Sequence, residues 1–179
     1  MESMSNILRS IISFSLFSIL FFIPASSLAE QFIIIRVYDG DTVIVSENGR
    51  ETTIRLVGID APEISTKQHL PGQPFSIKAK EHLAAFVLNK KVHIKLYGKD
   101  ASGKWLGEIF LENVNINIRM IHAGLAEVYR GTLPQNLEIN AYRIAERKAK
   151  ENFKGIWELR DQYFSPWHWR EMHSLKEPP

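Results

Sequence analysis

Two short stretches of the sequence concentrate acidic residues in a pattern that can bind a cation. The first is Asp39-Gly40-Asp41-Thr42, and the second, between Arg55 and Glu63, contains Asp60. Carboxylates that lie close together repel one another unless a cation lies among them. Hard carboxylate oxygens without His or Cys nearby suit Ca²⁺ or Mg²⁺ rather than Zn²⁺. If the two stretches meet in the fold, they predict a calcium or magnesium site.

Arg55 and Glu63 extend this pattern from cation binding to phosphate chemistry. A guanidinium holds two phosphate oxygens in a fixed fork and stabilises the charge that grows in the transition state. Glu63 follows Pro62, and a carboxylate held there can position or deprotonate a water molecule for in-line attack. Taken alone, Asp39-Gly40 is equally typical of an ordinary turn, and Arg55 of a solvated strand residue paired with Glu51. Together, the two stretches favour phosphodiester chemistry.

The predicted strands bring these two stretches together. Two β-patterned segments flank Asn48-Gly49, a dipeptide typical of a tight hairpin. Pairing across this turn places residues opposite each other when their numbers sum to about 97, so that Thr42 pairs with Arg55. Asp41 then lies beside the loop that starts at Gly58. We therefore expect the acids of both stretches and Arg55 to converge on one rim of a barrel.

The remaining patterns predict an α+β fold built on a five-stranded OB-type β-barrel with about three helices. The predicted strands are Phe32–Val37, Thr42–Ser46, Thr52–Val57, Lys91–Tyr97 and Trp105–Leu111. Apolar stripes predict helices at Phe75, Ala79, Leu83, Phe86 and Val87, and at Leu137, Ala141, Ile144, Ala145 and Ala149, with a short helix at Ile116–Ala123 between Asn115 and Gly124. Five short strands with a helix between the third and fourth fit a small closed barrel.

Residues 1–29 predict a secretory signal peptide. Arg9 precedes an uncharged run from Ile11 to Ile23, Pro24 breaks the run, and Ser27-Leu28-Ala29 supplies small residues at the positions that signal peptidase reads. The run is shorter than the about 20 residues that span a bilayer. We therefore expect an exported protein, periplasmic or secreted. The alternative is an uncleaved segment that tethers the protein to a membrane.

Composition limits how the exported chain can bind polyanions and how it is stabilised. The sequence has 22 basic and 20 acidic residues among 179, a formal net charge of +2. This charge is too small to indicate nucleic-acid binding by itself, so a polyanion site must come from local arrangement. The sequence has no cysteine, so the fold depends on its core rather than on disulfides.

Four segments of the chain resemble successive signatures of the staphylococcal nuclease (thermonuclease) family: VYDGDTVIV, IRLVGIDAPE, AGLAEVY and AERKAKENFKGIWE. The resemblance covers about Ile33 to Trp157. It implies a nuclease-like OB-fold domain at residues 30–158. Residues 159–179 then form a tryptophan-rich C-terminal tail, either packed against the barrel or a loose terminus.

The resemblance also implies roles for individual residues of the acidic stretches. Asp41 and Asp60 fall on side-chain ligands of Ca²⁺, and Ala61 falls on a ligand that offers its backbone carbonyl. Arg55 falls on a catalytic arginine and Glu63 on the general base. Calcium is therefore the expected cofactor.

Outside this set, the chain departs from the family pattern. Lys104 stands where the family has a second catalytic arginine, and Ser102 where it has a base-stacking tyrosine. An ammonium keeps the charge but lacks the planar fork of a guanidinium.

Asp39 and Thr42 complete the Asp-Gly-Asp-Thr turn as supporting residues. Tyr129 is a candidate for stacking on a nucleic-acid base, with packing in the core as the alternative.

The sequence thus supports two functions. The first is an exported, calcium-dependent endonuclease that acts on DNA and/or RNA as a monomer; the resemblance implies 3′-phosphate ends. The second is an OB-fold module that binds nucleic acid or protein with weak or no catalysis. Lys104 and Ser102 favour the module, whereas the complete set of acids with Arg55 favours the nuclease.

Overall fold

The computed structural model describes residues 31–47, 49–65 and 71–173, so the predicted signal peptide lies outside the described residues. The strands are β1 (Gln31–Val37), β2 (Thr42–Glu47), β3 (Arg50–Leu56), β4 (Ile59–Asp60), β5 (Lys91–Lys99), β6 (Trp105–Leu111), β7 (Val114–Asn115) and β8 (Glu127–Val128). The helices are α1 (Ser76–Val87), α2 (Ile116–His122), α3 (Ile139–Glu151) and α4 (Pro166–Met172), with a 3₁₀ helix at Gly155–Gln162 between α3 and α4.

Five of these strands close into a barrel in the order β3-β2-β1-β5-β6, and β6 pairs back onto β3. The closing pair is parallel and sets Arg55 beside Leu106, whereas the other barrel pairs are antiparallel. Closure requires a glycine at position 107, because a Cβ on Gly107 would lie 2.8 Å from Ile94 Cγ2 and 3.0 Å from Ile54 Cγ2. The predicted OB-type α+β fold is confirmed.

The β2–β3 hairpin has the predicted register, with Thr42 opposite Arg55 and Val43 opposite Ile54. Val43, Val45 and Ile54 are buried in the barrel, and burying each such side chain contributes about 1.5–3 kcal/mol. A slip of one residue would turn these side chains to solvent. The apolar alternation therefore also fixes the position of Arg55 at the end of the hairpin.

A buried amide holds the end of β3, from which the acidic loop departs. Asn117 of α2 donates to the carbonyls of Val57 and Gly107 at 2.9 and 3.0 Å and accepts from the Ile109 amide at 3.0 Å. The helix starts as predicted, with the Asn115 side chain capping its first turn. α2 thus ties β3 to β6 immediately before the loop that carries Asp60 and Glu63.

The apolar stripe predicted for the third helix is wrong at two positions. α3 buries Tyr142, Ala145 and Ala149, whereas Ala141 and Ile144 are exposed. Tyrosine is tolerated in the core because its hydroxyl donates to a barrel carboxylate, Glu108, at 2.8 Å. The helix is therefore rotated relative to the predicted face.

The tail predicted at residues 159–179 continues the fold in its described part. The 3₁₀ helix is broken at Arg160, which has a φ of 50°. Ser165 then caps α4 by accepting from the His168 amide at 3.1 Å, and Pro166 begins the helix. Across the described ranges, no helix combines the length and apolarity needed to cross a membrane.

Candidate active site

The turn between β1 and β2 is organised by the carboxylate of Asp41. Its Oδ1 accepts from the Thr42 hydroxyl at 2.9 Å and its Oδ2 accepts from the Ala61 amide at 2.9 Å. Asp39 Oδ1 in turn accepts from the Asp41 amide at 2.9 Å. A Cβ at Gly40 would lie 2.7 Å from the Cβ atoms of Ala61 and an α1 alanine. Glycine thus lets α1 press the first acidic stretch against the second.

Asp60 and Arg55 approach each other beside this turn. Asp60 lies on β4, opposite Glu127 of β8, and is 2% exposed. Arg55 Nη2 lies 4.0 Å from Asp60 Oδ1, and its side chain is mostly buried. The structure thus brings Asp41, Ala61, Asp60 and Arg55 to one rim of the barrel, where the sequence predicts that they meet.

An arginine of the tail, Arg170 of α4, lies between Asp60 and Glu63. Its Nη1 and Nη2 donate to the two oxygens of Asp60 at 2.9 and 3.0 Å, and Nη1 also donates to Glu63 Oε1. The Arg170 side chain is 13% exposed. Charge-assisted, bidentate contacts of this kind are among the strong hydrogen bonds in proteins. One guanidinium therefore neutralises a predicted metal ligand and the predicted general base together.

Two further contacts hold the tail next to this cluster. The buried Gln73 accepts from the Glu63 amide at 3.0 Å and donates to the Phe164 carbonyl at 2.8 Å. The Tyr163 hydroxyl donates to Glu127 at 2.7 Å. The same glutamine amide thus fixes the backbone of Glu63 and the segment that leads into α4.

Burial dominates the electrostatics of the acids. Burial and, next, the negative charge of Asp41 together raise the pKa of Asp39 to about 8. Burial also raises the pKa of Asp60 and of Glu63, although the hydrogen bonds and charge of Arg170 act in the opposite direction. The tail arginine therefore offsets only part of the desolvation of these carboxyl groups.

The donor chemistry of this rim fits a hard divalent cation. Asp41 and Asp60 are buried carboxylates beside the Ala61 backbone, and hard oxygens are the donors that Ca²⁺ prefers. Within residues 31–47, 49–65 and 71–173, however, no three acidic, histidine or cysteine side chains surround a common point. Both Asp60 oxygens accept from Arg170, so binding a cation there requires this contact to open.

A concave surface adjoins Arg55 and has room for part of a nucleotide. Its cavity of about 320 Å³ is lined by Arg55, Lys99, Tyr129, Leu106 and Pro134, among others. The cleft combines apolar side chains with charged and polar ones, and convergent polar groups of this kind fix the orientation of a ligand. Tyr129 is half-buried at this surface, so its ring shares a cleft with the candidate phosphate-binding arginine.

Lys104 lies in the turn between β5 and β6, which is far in sequence from both acidic stretches. Its ammonium donates to Ser102 Oγ at 3.0 Å, and its amide donates to Asp100 Oδ1 at 2.9 Å. Asp100 also accepts from the Ser102 amide and hydroxyl. The described hydrogen bonds of Lys104 therefore stay within its own turn, whereas Arg170 supplies a cation to the acids.

Arg170 and Gln73 are functional residues that the sequence alone does not predict. Arg170 is 110 residues from Asp60 in the chain, and no local pattern indicates a contact over such a separation. One signal was available for the helix itself, because Ser165-Pro166 is a capping residue followed by proline at the first helical position. It predicts where α4 starts but not what α4 contacts.

A closed OB-type barrel with buried acids and an arginine at one rim defines the class of this protein. The family described as staphylococcal nuclease homologue matches residues 53–159. The chain is 30% identical to a thermonuclease of Staphylococcus intermedius over 135 residues, which cover 72% of this chain and 77% of the relative.

Two further relatives agree with this match. An uncharacterized endonuclease of Escherichia coli O157:H7 is 30% identical over 138 residues, covering 76% of this chain and 82% of the relative. A micrococcal nuclease of Shigella flexneri is 29% identical over 147 residues, covering 76% and 78%. The chain belongs to the staphylococcal nuclease homologue family. Helix α4, with Arg170, lies beyond the residues that the family match covers.

Proposed function

We propose that this protein is an exported, calcium-dependent endonuclease that hydrolyses phosphodiester bonds of DNA and/or RNA. The observation that carries the proposal is the rim cluster, in which Asp60 lies 4.0 Å from Arg55 and shares the Arg170 guanidinium with Glu63. An arginine and two acids in one buried cluster suit phosphoryl chemistry better than structural support, because desolvated charges are costly to assemble.

Each residue of the rim has a role in the proposed reaction. Asp41, Asp60 and the Ala61 carbonyl would hold the calcium ion, which offsets phosphate charge when bound. Arg55 binds two oxygens of the scissile phosphate. Glu63 accepts a proton from the attacking water. The water oxygen bonds to phosphorus as the bond to the 5′ oxygen breaks. The departing 5′ oxygen takes a proton from solvent, and the products are a 3′-phosphate and a 5′-hydroxyl.

Tyr129 would contribute to substrate binding, and Lys104, in the position of the second catalytic arginine, would contribute to catalysis. The Tyr129 ring lies in the same cleft as Arg55, and stacking on an aromatic ring tolerates any base. Lys104 adds positive charge in the β5–β6 turn. Neither contact distinguishes ribose from deoxyribose, so both DNA and RNA are proposed as substrates.

A second function, an OB-fold module that binds without efficient catalysis, is favoured by the contacts of two residues. Glu63 accepts a hydrogen bond from Arg170, which competes with its use as a base. Lys104 donates to Ser102 within its own turn. In this alternative, the cleft beside Tyr129 binds nucleic acid or protein and turnover is slow or absent.

Digestion of plasmid DNA and of single-stranded RNA tests these functions. We expect cleavage in Ca²⁺ that excess chelator abolishes, with Mg²⁺ as a comparison. The DNA products should resist 3′ extension by a polymerase until a phosphatase removes the 3′-phosphate. Equal cleavage in excess chelator would contradict the metal, whereas binding of nucleic acid without cleavage would support the module.

We infer that the protein acts as a monomer outside the cytoplasm, after removal of residues 1–29. Support comes from the apolar run that ends before Ser27-Leu28-Ala29. Mass spectrometry of protein from the periplasm or medium should give an N-terminus near Glu30. Membrane-bound protein that still starts at Met1 would instead indicate a tethered enzyme.

A further inference from the structure

Helix α4 places Arg170 on the two acids that the proposed reaction needs free. Both oxygens of Asp60 accept from the guanidinium, so neither is available to a cation without losing a hydrogen bond. Glu63 accepts from the same guanidinium, so this oxygen must lose that partner before it can accept a proton from water. The arrangement is thus incompatible with the reaction until Arg170 moves.

The ion pair between Arg170 and Asp60 is buried and therefore differs from an ordinary surface ion pair. Exposed ion pairs contribute little to stability, but the Arg170 side chain is 13% exposed and that of Asp60 is 3% exposed. Gln73 and Tyr163 add hydrogen bonds between the barrel and the segment before α4. The tail is therefore held in register with the acidic cluster from two sides.

The same helix is nevertheless weakly attached apart from this contact. Of the seven residues of α4, only Pro166 is buried, and Trp167 is 57% exposed. Elements with few buried apolar contacts open at low free-energy cost. Just before this helix, the ring centroids of Trp157 and Tyr163 lie 4.7 Å apart, so the two rings pack against each other. They can keep the tail anchored while α4 detaches.

We propose that α4 is a tethered inhibitor of the active site, in which Arg170 takes the place of the divalent cation. This inference rests on the proposed nuclease function and adds its regulation. Calcium and Arg170 compete for Asp60. The apparent affinity for calcium is therefore the intrinsic affinity multiplied by the fraction of molecules in which Arg170 is released from Asp60. Activation then requires calcium to displace α4. α4 lies beyond the matched residues 53–159, so the proposed inhibitor is outside the part of the chain that the family match covers.

Calcium titration of the full chain without nucleic acid tests the competition directly. Arg170→Gln removes the guanidinium and should lower the dissociation constant for calcium about tenfold or more, which corresponds to ~1.4 kcal/mol. Arg170→Lys keeps the positive charge but not the forked hydrogen bonds of a guanidinium, so it should lower the dissociation constant for calcium by a smaller factor. The matched control is Arg147→Gln, because Arg147 is 65% exposed on α3 and its partner is Glu151. It should change the constant by less than about twofold.

Amide hydrogen exchange provides a readout that is independent of affinity and activity. Calcium should increase exchange in residues 166–173 of the wild type, whereas Arg170→Gln should exchange rapidly there even without calcium. If Arg170→Gln does not fold in chelator, the same two measurements on Arg170→Lys decide. Unchanged or weaker calcium binding in a folded Arg170 variant, or protection of α4 that calcium does not alter, would overturn the proposal.

Parallel plasmid digestion separates this inference from the nuclease function. Tighter calcium binding by Arg170→Gln without cleavage by any variant would retain the competition and reject the nuclease. Calcium-dependent cleavage with an unchanged dissociation constant would retain the nuclease and reject the inhibitor. Absence of calcium binding in the wild type and all variants would reject the inhibitor together with the metal.

Discussion

The barrel rim and the C-terminal tail both supply charged side chains to one site, but different interactions hold them in place. The rim residue Arg55 lies on β3, where a continuous ladder with β2 and a buried core fix its position. Arg170 lies on a seven-residue helix that is held mainly by side-chain hydrogen bonds. The proposed phosphate-binding arginine therefore lies on a rigid element, and the proposed inhibitory arginine lies on a helix with few buried contacts.

The largest effect is expected from Glu63→Gln at the rim. A general base contributes ~10²–10⁴-fold to rate, so kcat should fall by about that factor while affinity for nucleic acid remains. Steady-state kinetics in saturating calcium measure both. Glu51→Gln, an exposed change on β3, is the matched control and should have no effect. If turnover survives in Glu63→Gln, another group activates the water.

Gln73→Ala tests the link between the two regions. It removes the side-chain partner of two part-buried backbone groups, the Glu63 amide and the Phe164 carbonyl, which should cost about 1–3 kcal/mol in the free energy of unfolding. Exchange at residues 164–172 should also increase. Asn117→Ala removes another buried amide, far from the tail in its contacts, and should destabilise the barrel without loosening α4. Equal protection of α4 in both variants would contradict the link.

A smaller effect is expected at Lys104. Arginine there can make paired contacts to phosphate oxygens as charge develops, and a rise in kcat of ~10-fold needs only ~1.4 kcal/mol. Lys104→Arg should therefore raise kcat with little change in KM. Lys104→Ala is the control: if both variants leave the rate unchanged, Lys104 serves its own turn through Ser102 and not the reaction.

Most of the rim could be predicted from the sequence because local patterns determine it. Alternating apolar residues and the Asn48-Gly49 dipeptide predict the hairpin register, and the observed register places Thr42 opposite Arg55. The sequence predicts α3 but not which face of this helix is buried. Tyr142 is buried in the core because its hydroxyl donates to the buried carboxylate of Glu108. A pattern of apolar residues does not predict such a pair.

The tail contact could not be predicted for a physical reason. Arg170 meets Asp60 across 110 residues of chain, so no periodicity, turn or cap in either segment specifies the pair. Gln73 is similar, since its two partners, Glu63 and Phe164, lie in separate parts of the chain. Such contacts depend on the assembled fold. Only local features near them, such as the Ser165 cap of α4, can be recognised in the sequence.

The most direct test of the account is the calcium dependence of DNA cleavage in Asp41→Asn. Asparagine retains an oxygen for the Thr42 hydroxyl but removes the charge, and removing even outer-shell partners of a metal costs 10–100-fold in affinity. The account predicts that half-maximal cleavage requires roughly 10–100-fold more calcium, while saturating calcium restores the rate to within a few-fold of wild type. An unchanged calcium requirement in a variant with wild-type thermal stability would contradict a cation site at this rim.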